Sequence, residues 1–429
     1  MKNEQTVVNS YTRRLQVEVP WEELQEKYGM FFQKFSKRIR LPGFRKGKVP
    51  LKLIRQQYGA VAEAEFAESA VQEYYQSALE DTGLEPINQA TIRGVQFHEG
   101  ESFRFEATFE VEPEVILPAY QKGMKFDQII YTPDEEDVDR AIDDLRRQQA
   151  ELRTVEGGLE ENHYILADLQ EIDNSGMPLV GRKMENRYLH MHPEGPLGPE
   201  NLKRLLGAGV GDTRRIVLDA NSEIPTSYEL TVREISEQVL PDVDDAFARQ
   251  VDPDAENSEQ LRANMQQKIQ EAFERESHKG LTHEIADYFV RNAELEVPTS
   301  LFENYVDTII ADMERQGQIQ EAIDRDTIRK EHKADIIWNL KWYLLRKQLI
   351  IEENIAVDDA AVDERIESLI VADETQASQI RNYYRRPENR RTLRQDMLSD
   401  ALFERLKSFA KIKVTKKPSR ELRKRARQP

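Results

Sequence analysis

Hydrophobic and polar positions alternate near the N-terminus and then change to a helical period. Within residues 6–19, Leu15, Val17 and Val19 fall on one face, which predicts a half-buried strand. After Pro20 the apolar residues recur three or four positions apart, so we expect a helix there. The predicted inward stripe of this helix consists of Leu24, Tyr28, Phe32, Phe35 and Ile39.

The pattern beyond residue 60 predicts the rest of a small domain. A second helix is expected over about residues 61–82, because its apolar residues recur four apart and Gly83 suits a C-cap. Two strands are expected to close the domain, and in the second of them Phe103 to Val111 alternate strictly. Residues 1–113 are therefore predicted to form an α+β domain.

The sequence pattern in the middle of the chain changes twice, first to a linker and helix and then to short β-like runs. Prolines make residues 113–133 an extended linker, after which Thr132-Pro133 is expected to cap a helix that runs to about Leu152. Together these form a predicted linker and connecting helix, residues 114–153. Residues 154–240 are richer in Gly and Pro and predict a small antiparallel β domain with one short helix, Glu200 to Leu206, that ends at Gly207. Its short β-like runs are Tyr164 to Ile172, Arg187 to Met191, Arg214 to Leu218 and Tyr228 to Ile235.

From residue 241 onward the pattern is almost wholly helical and predicts a large all-helical domain over 241–412. Residues 336–351 are apolar nearly all round and are expected to be buried in helix packing. Residues 411–429 contain nine Lys or Arg against one Glu, so residues 413–429 are expected to form a mobile basic tail. Breaks between helices are predicted near Pro253, Gly280, Pro298, Gly317, Asp358 and Pro387.

Composition narrows the class of protein. A chain of 429 residues predicts several domains, and its formal net charge of -18 with 33% charged residues predicts a soluble protein. The absence of cysteine excludes disulfides and thiol catalysis and fits the cytoplasm. The N-terminus lacks the apolar core of a signal peptide, and the most apolar run is too short for a membrane span.

One stretch stands out against this acidic background. Residues 27–55 contain ten Lys or Arg and no Asp or Glu, and two glycines and two prolines make residues 41–50 a loop. This predicts a docking surface for a polyanion, with Phe44 as an apolar anchor. The alternative, a solvated basic hairpin tip, remains open at this point. The candidate binding residues are Gly43, Phe44, Arg45, Lys46, Gly47 and Lys48.

The run Gly-Phe-Arg-Lys-Gly-Lys-Val-Pro, residues 43–50, resembles the ribosome-docking signature of the trigger factor family, bacterial chaperones at the nascent-chain exit. Tyr58-Gly59-Ala60, residues 105–115 and residues 138–150 resemble the family as well. The resemblance implies a multidomain α+β fold: an N-terminal ribosome-binding domain, a degenerate FKBP-like β domain, and a helical C-terminal chaperone domain whose arms enclose a cradle.

The resemblance also implies partners and an absence of cofactors. The implied partners are an exit-port protein and RNA of the large ribosomal subunit, nascent and unfolded polypeptides, and a second copy of the chain off the ribosome. It implies no membrane partner, no metal and no nucleotide, and the sequence indeed contains no phosphate-binding glycine loop. A general RNA-binding protein that uses residues 27–55 and 411–429 remains an alternative.

The family activity implied for residues 154–240 is peptidyl-prolyl cis-trans isomerisation, in which an apolar aromatic pocket holds a twisted amide. Here the corresponding stretch Pro196-Leu197-Gly198-Pro199-Glu200 has no aromatic residue, and Leu169 follows Asp168 where the family usually has Phe or Tyr. The segment between Leu218 and Tyr228 is short for the family's flap. A retained fold with little turnover and an active isomerase both remain open, and no catalytic residue is assigned.

The histidines offer no clear metal site. His190 and His192 are the only close pair, and they stand without cysteine or a nearby set of carboxylates. Nothing in the sequence indicates nucleophilic or metal catalysis.

Overall fold

The structure is a computed structural model that divides into two compact units. The first unit combines residues 1–127 with 280–413, and the second combines residues 128–279 with 414–429. The residues that the structure describes are 1–42, 44, 49–173, 175–193, 195, 197–218, 226–315, 325–372 and 374–426.

The N-terminal domain of the first unit is a four-stranded antiparallel sheet packed against two helices. The sheet order is β1-β2-β4-β3, and the buried face of the central pair β2 and β4 carries the alternating apolar residues that the sequence predicts. The elements are β1 (Lys2–Val7), β2 (Thr12–Val19), α1 (Trp21–Arg38), α2 (Leu51–Thr82), β3 (Thr91–Gln96) and β4 (Phe103–Glu110).

Two predictions for this domain need correction. Residues 6–19 are not one strand: a turn at Asn9, whose side-chain oxygen accepts the N–H groups of Tyr11 (3.0 Å) and Thr12 (2.6 Å), separates β1 from β2. The helix expected from about residue 61 begins at Leu51, because the Pro50 carbonyl already accepts helical hydrogen bonds from Leu53 and Ile54.

The next part of the chain leads into a five-stranded antiparallel sheet with the order β6-β10-β7-β8, in which β9 also pairs with β10. Its core lies between the sheet and α4. The elements are β5 (Lys125–Thr132), α3 (Glu135–Gln148), β6 (Glu151–Thr154), β7 (Tyr164–Ile172), β8 (Pro178–His190), α4 (Gly198–Leu205), β9 (Thr213–Leu218) and β10 (Thr226–Val239).

The connecting helix is shorter than the sequence suggested. Its N-cap is Asp134 and not Thr132-Pro133, since Asp134 and Asp137 form a reciprocal capping box. The helix ends at Gln148, and Leu152 belongs to β6, which pairs with β10. The predicted β-like runs and the short helix before Gly207 are confirmed within a few residues at most ends, although β8 begins nine residues before Arg187.

The remainder is mainly helical. Breaks are confirmed at Pro298, Asp358 and Pro387, and Gly317 lies outside the described residues. The elements are α5 (Asp245–Val251), α6 (Ser258–Asn292), α7 (Thr299–Arg315), α8 (Arg325–Glu331), α9 (Lys333–Glu352), α10 (Asp359–Ala372), a 3₁₀ turn (Glu374–Gln376), α11 (Ala377–Tyr384), α12 (Pro387–Phe409), β11 (Lys411–Pro418) and α13 (Arg420–Ala426).

The break predicted at Gly280 is wrong. Gly280 lies inside α6, which continues for 35 residues. A glycine inside a helix costs about 1 kcal/mol relative to alanine. Burial of Leu281, Ile285 and Phe289 just beyond it supplies an apolar face that holds the helix together.

The expectation of a mobile tail is also wrong for the described residues up to 426. Residues 411–418 form β11, which pairs with β5 in a two-stranded sheet, and α13 follows. Strand pairing satisfies backbone groups that a mobile segment would leave to water. No helix in the described part of the chain is long and apolar enough to cross a membrane.

Candidate functional site

The loop between α1 and α2 is anchored at both ends by the core of the N-terminal domain. Val49 is buried there, and Ile39 and Leu41 pack against the same core. The backbone N–H of Phe44 donates to the Leu41 carbonyl at 3.1 Å, which closes a turn. Leu41 before the loop and Val49 after it therefore both contact this core.

Phe44 lies between these anchors and keeps 43% of its surface exposed, although a phenylalanine normally favours burial. The prediction that Phe44 is displayed to solvent is confirmed. The other candidate binding residues, Gly43, Arg45, Lys46, Gly47 and Lys48, lie outside the described residues.

Ion pairs within the domain reduce the number of cations around the loop that are available to a partner. Three cations of the helices are paired with acids from α2 or the β3–β4 turn: Lys27 with Glu73, Arg38 with Glu65 at 2.6 Å, and Arg55 with Glu99 at 2.7 Å. The cations that are exposed and form no ion pair with any described residue are Lys34, Lys37, Arg40 and Lys52. These four flank the loop and carry the positive charge that the described residues display there.

Asp168 precedes Leu169 in β7, and its carboxylate is fully engaged. It is buried, accepts the Asn186 backbone N–H at 3.0 Å, and receives two bonds from Arg233 at 2.9 and 2.6 Å. The Asn186 N–H, and after it the Arg233 guanidinium, holds the pKa of this carboxyl below its usual range. The Asp168 carboxylate therefore joins β7 to its neighbours β8 and β10.

Aromatic side chains are absent from the buried part of the β-domain core, as far as the structure describes it. Leu169 and Leu197 both point into this aliphatic core, and Tyr228 packs against it while only partly buried. Pro196 and the flap segment 219–225 lie outside the described residues. The fully buried cluster offers no aromatic wall against which a prolyl ring could stack.

The histidine pair forms a stack of rings on the surface of the β domain. The rings of Tyr164 and His190 are parallel at 4.4 Å, and His190 and His192 follow at 5.7 Å. Burial, and after it the charge of His192, lowers the pKa of His190. No group of three potential metal ligands occurs among the described residues, and the stacking explains the pair without a metal.

Sequence reasoning missed the contacts that join the N-terminal domain to the helices of the first unit. The Glu110 carboxylate accepts the backbone N–H of Ser300 at 2.9 Å and its hydroxyl at 2.5 Å. Lys347 forms an ion pair with Glu112 at 2.5 Å. Glu110 and Glu112 were visible only as the end of a strand, and no local signal names their partners, which lie 190 and 235 residues away.

The chain is similar to known proteins over much more of its length than the loop. Residues 1–145 match the sequence model of the bacterial trigger factor protein, and residues 258–408 match that of its C-terminus. The trigger factor of Geobacillus kaustophilus (strain HTA426) is 29% identical over 378 residues, covering 83% of this chain and 88% of that protein. The trigger factor of Salinibacter ruber (strain DSM 13855 / M31) is 26% identical over 427 residues, covering 93% and 91%.

A solved structure from work on promiscuous substrate recognition in the folding and assembly activities of the trigger factor chaperone has a similar fold. It superimposes with a TM-score of 0.52 at 20% identity, over 95% of this chain and 99% of that one. The two sequence models lie at both ends of the chain and together take in more than half of it. The chain belongs to the trigger factor family of ribosome-associated chaperones.

Proposed function

We propose that the protein docks on the ribosome through the loop between α1 and α2, with Phe44 as the apolar anchor. Arg45 and Lys46 would meet RNA phosphates, while Gly43, Gly47 and Lys48 complete the loop. The observation that carries the proposal is the exposed Phe44 ring between two segments fixed to the core. An exposed aromatic on a fixed support can bury its surface in a partner at little cost in conformational entropy.

The docking partner that we propose is the exit port of the large subunit, through both protein and RNA. The four exposed cations beside the loop, Lys34, Lys37, Arg40 and Lys52, suit a polyanionic surface. A general RNA-binding protein would use the same cations, but it would not depend on Phe44. We also propose that the chain acts in the cytoplasm and forms a homodimer when it is off the ribosome, which sedimentation at increasing concentration would test.

The docking experiment compares two triple variants by co-sedimentation with ribosomes. Phe44→Ala with Arg45→Ala and Lys46→Ala should abolish binding and leave the far-ultraviolet circular dichroism unchanged, because exposed loop residues contribute little to the fold. The control, Val95→Ala with Lys2→Ala and Arg93→Ala, removes an exposed apolar residue and the same charge from the sheet of the same domain. Wild-type pelleting of the loop variant would rule out this loop as the anchor.

For client binding we propose dispersed, weak contacts at exposed apolar side chains of the helical part, without nucleotide. Four large apolar side chains are displayed there on three different helices, α9, α10 and α11, and Val371 is 73% exposed. Exposed apolar groups of this kind bind apolar segments without a defined sequence. They are Tyr343, Ile351, Val371 and Tyr383.

The test is the delay that the whole protein causes in the aggregation of an unfolded client. We expect a delay without added nucleotide at a several-fold molar excess of the protein. Aggregation at the unassisted rate would contradict the holding function. For the β domain we propose a retained fold with little isomerase turnover, supported by the aliphatic core and the engaged Asp168 carboxylate.

A further inference from the structure

A cavity of about 700 Å³ opens in the first unit between the N-terminal domain and the helices. One wall is the β1–β2 turn with Tyr11, another is the segment that leads into α7, and the third is formed by α8 and the first part of α9. Its volume is in the range of ordinary ligand sites. Apolar carbon from Val297, Phe302 and Ile337 forms part of the lining.

Two of these walls, the β1–β2 turn and the segment that leads into α7, are joined by polar contacts. The Ser10 hydroxyl donates to Glu296 at 2.6 Å, and the hydroxyls of Tyr11 and Thr299 lie 3.5 Å apart. The Glu110 carboxylate next to them holds the start of α7. The cavity is therefore a preformed feature of this unit, and a ligand would not have to assemble it.

The cavity is basic on a protein whose net charge is -18. Lys330, Lys333 and Lys341 line it, and none of them forms an ion pair with a described residue. Glu296 is the single carboxylate among its lining residues and already accepts the bond from Ser10. These three lysines are therefore available to pair with a negatively charged ligand.

The lysines are arranged along a helix and not clustered at one point. Lys333, Ile337 and Lys341 are four residues apart and share one face of α9, so two cations flank an apolar residue. At 1.5 Å per residue the two lysines are about 12 Å apart along the axis, the length of about four residues of extended chain. This spacing fits a polypeptide segment better than a small anion, which would need its donors to converge.

We propose that this basic cavity binds client segments in which apolar residues are flanked by Asp or Glu. This inference rests on the proposed client-holding function and names the class of client that this surface selects. The apolar floor takes the apolar side chains, and the three lysines meet the flanking carboxylates. Nucleic acid is the less suitable occupant, because single strands bind by stacking bases on exposed aromatic platforms. Among the described residues that line the cavity, the only aromatic side chains are Tyr11 and the half-buried Phe302.

The test measures binding of two fluorescein-labelled peptides to the full-length protein by fluorescence anisotropy. Both peptides contain Leu-Phe-Leu, flanked on each side by glutamates in one and by lysines in the other. We expect the wild type to bind the glutamate peptide about tenfold more tightly at low salt, and the difference to shrink as salt screens the charges. Equal affinities for the two peptides would overturn the proposal.

Charge-reversal variants test whether the three cavity lysines cause the preference for the glutamate peptide. Lys330→Glu with Lys333→Glu and Lys341→Glu should remove the preference for the glutamate peptide. The control, Lys125→Glu with Lys279→Glu and Arg365→Glu, makes the same change in net charge at exposed cations that do not line the cavity and should keep the preference. Retention of the preference by the cavity variant would also overturn the proposal.

Two further measurements distinguish loss of the preference from a folding defect and an acidic peptide from nucleic acid as the ligand. The double variant of Lys330 and Lys333, both exposed, changes the charge without touching the half-buried Lys341, so a folding defect of the triple variant cannot mask the result. An oligouridylate that displaces the acidic peptide at lower concentration than the peptide itself binds would identify a nucleic-acid site instead. Aggregation delay without any charge preference would refute this inference and leave the holding function standing.

Discussion

Glu110 caps a helix that begins almost two hundred residues later in the chain. Its carboxylate accepts the backbone N–H of Ser300 at 2.9 Å and the Ser300 hydroxyl at 2.5 Å, in the first turn of α7. A carboxylate at this place satisfies free N–H groups and favours the positive end of the helix dipole. The end of the last strand in the N-terminal sheet thereby fixes the first helix of the α7–α9 group.

Replacement of Glu110 should therefore weaken the first unit. We expect Glu110→Ala to lower the free energy of unfolding by about 1–2 kcal/mol, the usual loss for a helix N-cap. Urea unfolding followed by tryptophan fluorescence would measure it. Glu101→Ala, which removes an exposed carboxylate from the β3–β4 turn, is the matched control. Equal losses in the two variants would show that the cap contributes nothing.

Arg423 should stabilise the start of α3 in a way that depends on pH. Its guanidinium lies 2.6 Å from Asp134 and 3.1 Å from Glu136, and it also contacts Asp137 of the capping box. The Arg423 contact lowers the pKa of Asp134. A lowered folded-state pKa contributes stability that is present above the unfolded pKa, about 4, and is lost as pH falls through the folded value.

Arg423→Met should therefore be less stable than the wild type at neutral pH, and the difference should shrink in acid. Hydrogen exchange of the amides at the start of α3, measured at pH 7 and near pH 3, would follow this. Arg420→Met removes an exposed neighbouring cation that forms no ion pair with a described residue and serves as the control. A difference between wild type and Arg423→Met that is constant with pH would contradict the ion-pair account.

The ordered C-terminal segment predicts a weak effect of its removal on ribosome binding. Each cation that meets an RNA phosphate adds about 0.7 to 0.9 to the magnitude of the log–log salt slope. Because β11 pairs with β5 and Arg423 binds acids of the same chain, we expect deletion of residues 414–429 to change the slope by less than one phosphate contact and to leave Phe44-dependent docking in place. A flatter slope in the truncated protein would show that this segment is a second tether to RNA.

Isomerase turnover should be well below that of an FKBP with an intact aromatic pocket. The physical reason is the aliphatic cluster around Leu169 and Leu197, which provides no aromatic surface for a twisted prolyl amide. A proline-limited peptide assay with an FKBP as reference would measure it. Turnover equal to the reference would show that side chains outside the buried core rebuild the pocket.

The sequence by itself determined much of the local structure and the loop that displays Phe44. The helical stripe of α1, the alternation in β4 and the strand Tyr164–Ile172 were read correctly, because each depends on a period of two or 3.6 residues within one segment. Phe44 was predicted to be exposed for the same kind of reason, since glycines and prolines around it exclude a regular element.

Only the tertiary structure decided the contacts between distant segments. Residues 411–418 looked like a solvated tail because their lysines mask the short alternation of Ile412 and Val414, and β5 supplies the backbone partner from far away in sequence. The Glu110 cap of α7 and the basic cavity likewise need residues from separate elements. A periodic pattern records which face of a segment is buried, but not which other segment covers it, and that choice depends on the packing of the whole unit.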